Sequence, residues 1–191
     1  KAALVNNAST VNCSVATYSI SQTDFECSDN GSTPVTLAVT DVNGNSSTCS
    51  ATVTVVDSVD PIAICQNVTV QLDAAGNGST TAALVNNGST DNCSIASYSL
   101  SQTDFDCSEV GANPVTLTVT DVNGNSSTCS ATVTVVDSVD PIAICQNVTV
   151  QLDAAGSGST TAALVNNGST DNCSISSYSL SKTDGDCLVI G

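Results

Sequence analysis

The chain has 191 residues, with eighteen acidic side chains against two lysines, Lys1 and Lys182, no arginine and a formal charge of −16. That balance excludes a nucleic-acid footprint, which needs clustered basic side chains, and disfavours binding to anionic membranes. With no histidine there is no Ser-His or Cys-His pair and no His-bearing zinc site. Carboxylate-pair chemistry would want an aromatic-rich cleft, and the aromatics are only Tyr18, Tyr98, Tyr178, Phe25 and Phe105, so no enzyme is expected. Carboxylates in such excess repel unless they are spread out, screened or bridged by a divalent cation. A solvated acidic surface that keeps the protein soluble is the simpler alternative.

The sequence repeats every eighty residues: PIAICQNVTVQLDAAG at 61–76 recurs at 141–156, and Lys1–Asp60 matches Thr81–Asp140. Solenoid repeats run to about 20–50 residues, so a longer period implies a string of small domains with separate cores. The expected division is a partial repeat at 1–60 lacking its first strand, a complete repeat at 61–140, and a partial repeat at 141–191 lacking its last strands. On this reading both ends fall in mid-repeat, as in a window on a longer array.

Within the complete repeat the predicted elements follow a period of two. Val68, Val70 and Leu72 alternate with polar residues in a first strand over about 62–73. Turn residues at Ala74–Gly76 lead to a second strand at 79–85, and the Asn86–Asn92 stretch leads to a third at 94–101. Val115, Leu117 and Val119 mark a strand at 113–121, and Ala131, Val133 and Val135 one at 126–136. Between these two, Asn123–Gly124 signals a type I′ hairpin. Half-buried strands rich in Val and Thr, with frequent turns, predict an all-β fold of tandem antiparallel sandwiches. Each core is thin, and cross-links would help to offset that.

Ten cysteines, four of them in the complete repeat, read as disulfides formed in an oxidising compartment. No C-x-x-C pair suggests a zinc or iron–sulfur site. Cys65, Cys93, Cys107 and Cys129 allow three pairings.

Taken together, Asp60–Pro61 followed by Cys65 and NVTVQL, then Val110–Gly111, PVTLTVTD at 114–121, DVNGNSSTC at 121–129 and ATVTVVD at 131–137 resemble the hyalin repeat, an immunoglobulin-like extracellular module. The Asp-x-x-Gly-Asn element also resembles one in Ig-like repeats of bacterial surface adhesins. Gln66 departs from the family, which often has proline there, and Cys93 and Cys107 look like an added staple. The resemblance implies adhesion or matrix roles without catalysis, and a Cys65–Cys129 bridge. That would leave Cys93 with Cys107 and, by analogy, Cys13 with Cys27 and Cys173 with Cys187. Cys49 and Cys145 would then have partners outside this stretch, or would join neighbouring chains or domains.

A strand of about ten residues spans roughly 30 Å, so the Asn123–Gly124 hairpin should lie at the pole where the chain enters the repeat. Asp57, Asp60, Asp91, Asp121, Asn123 and Asn125 are expected to converge there, and Asp137, Asp140 and Asp171 at the following junction. Asp73 and Asp104 could reach that second junction from above. Many oxygen donors around one point suit a structural calcium ion, which takes six to eight of them. Val11 stands where the later copies have Asp91 and Asp171, which weakens the first fragment's own site.

Asn-x-Ser/Thr occurs often, including at Asn7, Asn30, Asn45, Asn67, Asn77, Asn87, Asn125, Asn147 and Asn167. Asp57-Ser58-Val59 and Asp137-Ser138-Val139 resemble the acceptor of a bacterial O-glycosylation system, which would make Ser58 and Ser138 the modified residues. The sequence thus predicts a secreted structural protein of a cell surface or matrix: a stiff stalk or fibril that associates with itself head to tail, with calcium at its junctions and glycan modification possible. The alternative is an adhesin module that binds glycans or partner proteins.

Overall fold

The computed structural model describes residues 14–185, with side-chain environments through Thr183. The predicted bridges of Cys13 and Cys187, the Asn7 sequon and Val11 therefore lie outside the described residues as far as those positions are concerned. Strands β1 (Val15–Ile20), β2 (Gly31–Asp41) and β3 (Ser46–Val55) form an antiparallel sheet in that order in the first repeat. The middle repeat carries β4 (Val68–Gln71), β5 (Asn77–Ser79), a single helical turn α1 (Ala82–Val85), β6 (Ile95–Leu100), β7 (Asp104–Asp106), β8 (Gly111–Asp121) and β9 (Ser126–Val136). The third holds β10 (Gly158–Ser159), the turn α2 (Ala162–Val165) and β11 (Asp184–Gly185).

In the middle repeat one layer is a four-stranded sheet in the order β4-β9-β8-β6. The facing layer is built of shorter pieces: β5 against β7, and bridges joining Ile62 to Thr90 and Cys65 to Asn86. Inward residues of β8 and β9, Val115, Leu117, Val119, Ala131, Val133 and Val135, pack with Val70, Leu72, Val85 and Phe105 into one buried cluster. The result is an all-β, disulfide-stapled, immunoglobulin-like sandwich with little helix.

The predicted first strand divides between the two layers. Residues 62–65 bridge toward 86–90, and after Asn67 the chain crosses to pair with β9, in parallel rather than antiparallel fashion. Two polar side chains hold the crossing: Gln66 donates its amide to Leu84 O, and Asn67 Oδ1 accepts from Thr132 N–H. The Gln66 backbone N–H donates to Val85 O at 2.9 Å, a bond that proline could not make.

The predicted strand at 79–85 is corrected to β5 plus the turn α1. Ala82, Ala83 and Leu84 favour helix, and Asn86 N–H donates back to Ala82 O at 2.9 Å while Val85 goes into the core. The type I′ hairpin is corrected too. Gly124 N–H donates to Asp121 O, so Asn123 and Gly124 occupy the third and fourth positions of the turn, not its two centres. The cause is Asp121, whose Oδ1 accepts the N–H groups of Asn123 at 2.9 Å and Asn125 at 2.7 Å.

Candidate metal centre

The site grows from the ends of strands. β8 ends at Asp121 beside the start of β6, since Ile95 pairs with Asp121, and β9 runs from that pole to the other. The connector from β3 brings Asp57 to the same place, and the turn before β6 brings Asp91. One oxygen from each of Asp57, Asp91 and Asp121 lies within 4.8 Å of the others, the one such acidic group among the described residues.

The three carboxylates are not equally satisfied. Asp121 is 2% exposed and accepts from Asn125 Nδ2 at 2.8 Å as well as from the two backbone N–H groups. Burial works against its charge, but the Asn125 side chain and backbone and the Asn123 and Gly124 N–H groups outweigh it and hold its pKa below the usual carboxylate value. Asp57 is held low by the Val59 N–H first, then by the Asn92 and Asn123 amides. Asp91 Oδ2 accepts from Cys93 N–H at 2.9 Å, whereas its Oδ1 is buried without a donor.

Asn123 and Asn125 enter as hydrogen-bond donors, to Asp57 Oδ2 at 2.7 Å and to Asp121 Oδ2. A half-turn of either amide would present oxygen instead. Asp60 is exposed and stands outside the cluster.

At the next junction Asp137 Oδ1 accepts from Asn172 Nδ2 at 3.0 Å, and Asp171 Oδ1 is again buried without a donor. Among the described residues this junction has no counterpart of Asp121, and Asp140 is exposed. Asp73 reaches this junction through its backbone carbonyl, which accepts from Asn172 Nδ2 at 3.1 Å. Its carboxylate is taken up by the N–H groups of Ala75 and Asn77 in its own turn. Asp104 accepts from the neighbouring Thr103 hydroxyl at 2.8 Å. Ser58 and Ser138 are both exposed. Asn125 spends its amide on Asp121, so a sugar at that sequon would compete with the hairpin.

The disulfides correct the expected pairing. Cys65 bonds Cys129 within the repeat, but Cys93 bonds Cys27 of the preceding repeat and Cys107 bonds Cys173 of the following one. The expected Cys93–Cys107 bridge is therefore not formed, and Cys27 and Cys173, expected to pair with Cys13 and Cys187, are taken up by the middle repeat instead. The reason is length: β6 is six residues long, about 20 Å, and it separates Cys93 at one pole from Cys107 at the other, far beyond the ~7 Å Cα reach of a disulfide. The Cα atoms of the observed pairs lie 5.2–5.9 Å apart. A reciprocal cap presents Cys107, with Asp106 Oδ1 accepting from Ser108 N–H and Glu109 Oε2 from Asp106 N–H. Cys49 and Cys145 are free and exposed.

Gly76 seals the second junction. Its φ is +77°, and a Cβ there would sit 2.6 Å from Cys107 Sγ and 2.9 Å from Asn172 O. Gly88 has φ +79° with nothing within 4 Å. Gly76→Ala should therefore speed reduction of Cys107–Cys173 relative to Cys65–Cys129, while Gly88→Ala carries only the backbone strain of about 1–2 kcal/mol. Equal reduction rates in the two variants would refute a packed junction.

Acid titration has a defined sign. Asp41, Asp57, Asp73, Asp106, Asp121 and Asp153 all have lowered pKa values in the fold. Their stabilisation is present above the unfolded value of about 3.9 and is lost as pH falls through the folded values. With no histidine, metal-free stability should stay flat from neutral pH to about 4 and then decline, as chemical denaturation at stepped pH would show.

No model of a known protein family matches the chain, and no curated protein matches it significantly. Among solved structures it is similar to the extracellular domain of protocadherin gammaB4, at 18% identity over 70% of this chain and 28% of that one, with a TM-score of 0.34. It is also similar to extracellular cadherin domains 1–4 of protocadherin gamma B7, at 15% identity over 84% of this chain and 51% of that one, again at 0.34. The chain thus spans about a quarter of the first of these structures and half of the second. No helix among the described residues is long and apolar enough to cross a membrane.

Proposed function

We propose that this is a structural repeat protein of the extracellular space, forming a stiff stalk or fibril whose junctions hold calcium. The observation that carries the reading is the convergence of Asp57, Asp91 and Asp121 at a junction that Cys27–Cys93 also crosses. Three carboxylates this close, one with a buried oxygen lacking a donor, and only two lysines in the whole chain, favour a hard divalent cation. All the donors are oxygen, which suits calcium, and calcium tolerates irregular coordination better than magnesium. Asp57, Asp91 and Asp121 would hold it, with Asn123 and Asn125 completing the site after rotation of their amides. Disulfides at this density support an oxidising, extracellular setting. The connector Val55–Pro61 contains no glycine, which restricts hinge motion.

The test is small-angle scattering on the whole chain in millimolar calcium and again after chelation. The expected result is a longer, stiffer particle with calcium, together with saturable heat in a calorimetric titration. Superimposable scattering curves and no binding heat would sink the metal-bridged junction.

A further inference from the structure

The three disulfide loops overlap along the chain. Cys65 lies inside the Cys27–Cys93 loop and Cys107 lies inside the Cys65–Cys129 loop, which itself overlaps Cys107–Cys173. Every peptide bond between Cys27 and Cys173 is therefore enclosed by at least one disulfide loop. The connectors are the telling places: residues 57–61 are spanned by Cys27–Cys93 alone, and residues 137–141 by Cys107–Cys173 alone. Bridges confined within repeats would leave both connectors as single covalent threads.

We propose that these bridges form a continuous covalent bypass that keeps the chain in one piece after backbone scission at any bond from Cys27 to Cys173, and that caps its extension under tension. The shortest covalent route runs from Cys27 across to Cys93, along the backbone to Cys107, and across to Cys173. Its backbone part, Cys93 to Cys107, is fourteen peptide bonds long, at most about 50 Å when fully drawn out. The native sandwich already holds an eleven-residue strand, β8, of about 36 Å. Tearing the repeat open thus adds only about 15–30 Å, whereas an unbridged eighty-residue repeat, drawn out to roughly 270 Å, would add about 230 Å. The use of this device rests on the stalk reading above, but its chemistry does not.

The chain carries its own cleavage points for the test. Its four prolines are Pro34, Pro61, Pro114 and Pro141, and only Asp60–Pro61 and Asp140–Pro141 are Asp–Pro bonds, which hydrolyse in mild acid. Both lie in the connectors. All free thiols, Cys49 and Cys145 among them, are first alkylated, and acid then keeps thiolate too scarce for disulfide exchange. Without reductant, the cleaved protein should remain one species of the starting mass plus two waters. With reductant it should fall into 1–60, 61–140 and 141–191. Release of either outer piece before reduction overturns the proposal. In a Cys107→Ser, Cys173→Ser variant only 141–191 should come free, and retention of that piece would equally overturn it. These masses are independent of particle shape, so failure of the bypass is distinguishable from failure of the stalk reading in scattering.

Discussion

Replacing both Cys65 and Cys129 with alanine should lower the melting temperature of the middle repeat by roughly 15–30 °C. The bridge closes a span of 64 residues, for which chain entropy gives about 4 kcal/mol, and 1 kcal/mol corresponds to about 4–8 °C in a domain of this size. The loss matters because the core is ten residues of which only Phe105 is aromatic, and a sandwich this small buries a modest fraction of its surface. The bridge also anchors the residues before the crossing at Gln66 to β9, so its removal frees the start of β4 as well. Circular dichroism melts of the double variant beside the parent provide the measurement. A shift of only a degree or two would mean that the sandwich is held by its core and junction bridges alone.

Asp91→Asn should change sign with the solvent. In chelator the substitution removes one of three mutually repelling carboxylates and replaces an oxygen that has no donor, so the melting temperature should rise. In calcium it removes a ligand charge, and affinity should fall by at least about 10–100-fold, the range seen when even supporting groups of a metal site are lost. Melting curves of parent and variant in the two conditions should therefore cross in rank. If the variant ranks the same way in both, the three aspartates are a solvated cluster and not a cation site.

The long strands were legible because their information is local. Alternation from Val115 to Val119 and from Ala131 to Val135 permits one inward face each, and a strand's length then determines which acidic residues share a pole. That is why Asp57, Asp91 and Asp121 are grouped by the sequence alone, while Asp60, equally acidic, is exposed and outside the cluster. The crossing at Gln66–Asn67 was hidden because alternation continues through it while the hydrogen-bond partners change. The turn at Ala82–Val85 was hidden because four residues cannot display a helical period. The bridge partners were hidden for a different reason: copies that are nearly identical give no sign of whether Cys93 faces its own repeat or the one before.

The hairpin cap at Asp121 and the orphaned oxygen of Asp91 belong to one copy, whereas Asp57 and Cys27 belong to its predecessor. The spelled period and the working joint are therefore out of phase. A fragment trimmed at Pro61 and Asp140 would hold a whole sandwich but only half of each joint. One articulation's cross-link and all three acidic arms lie between Cys27 and Asp121, and an excised piece that also keeps β9 with its core side chains must run on to Val136.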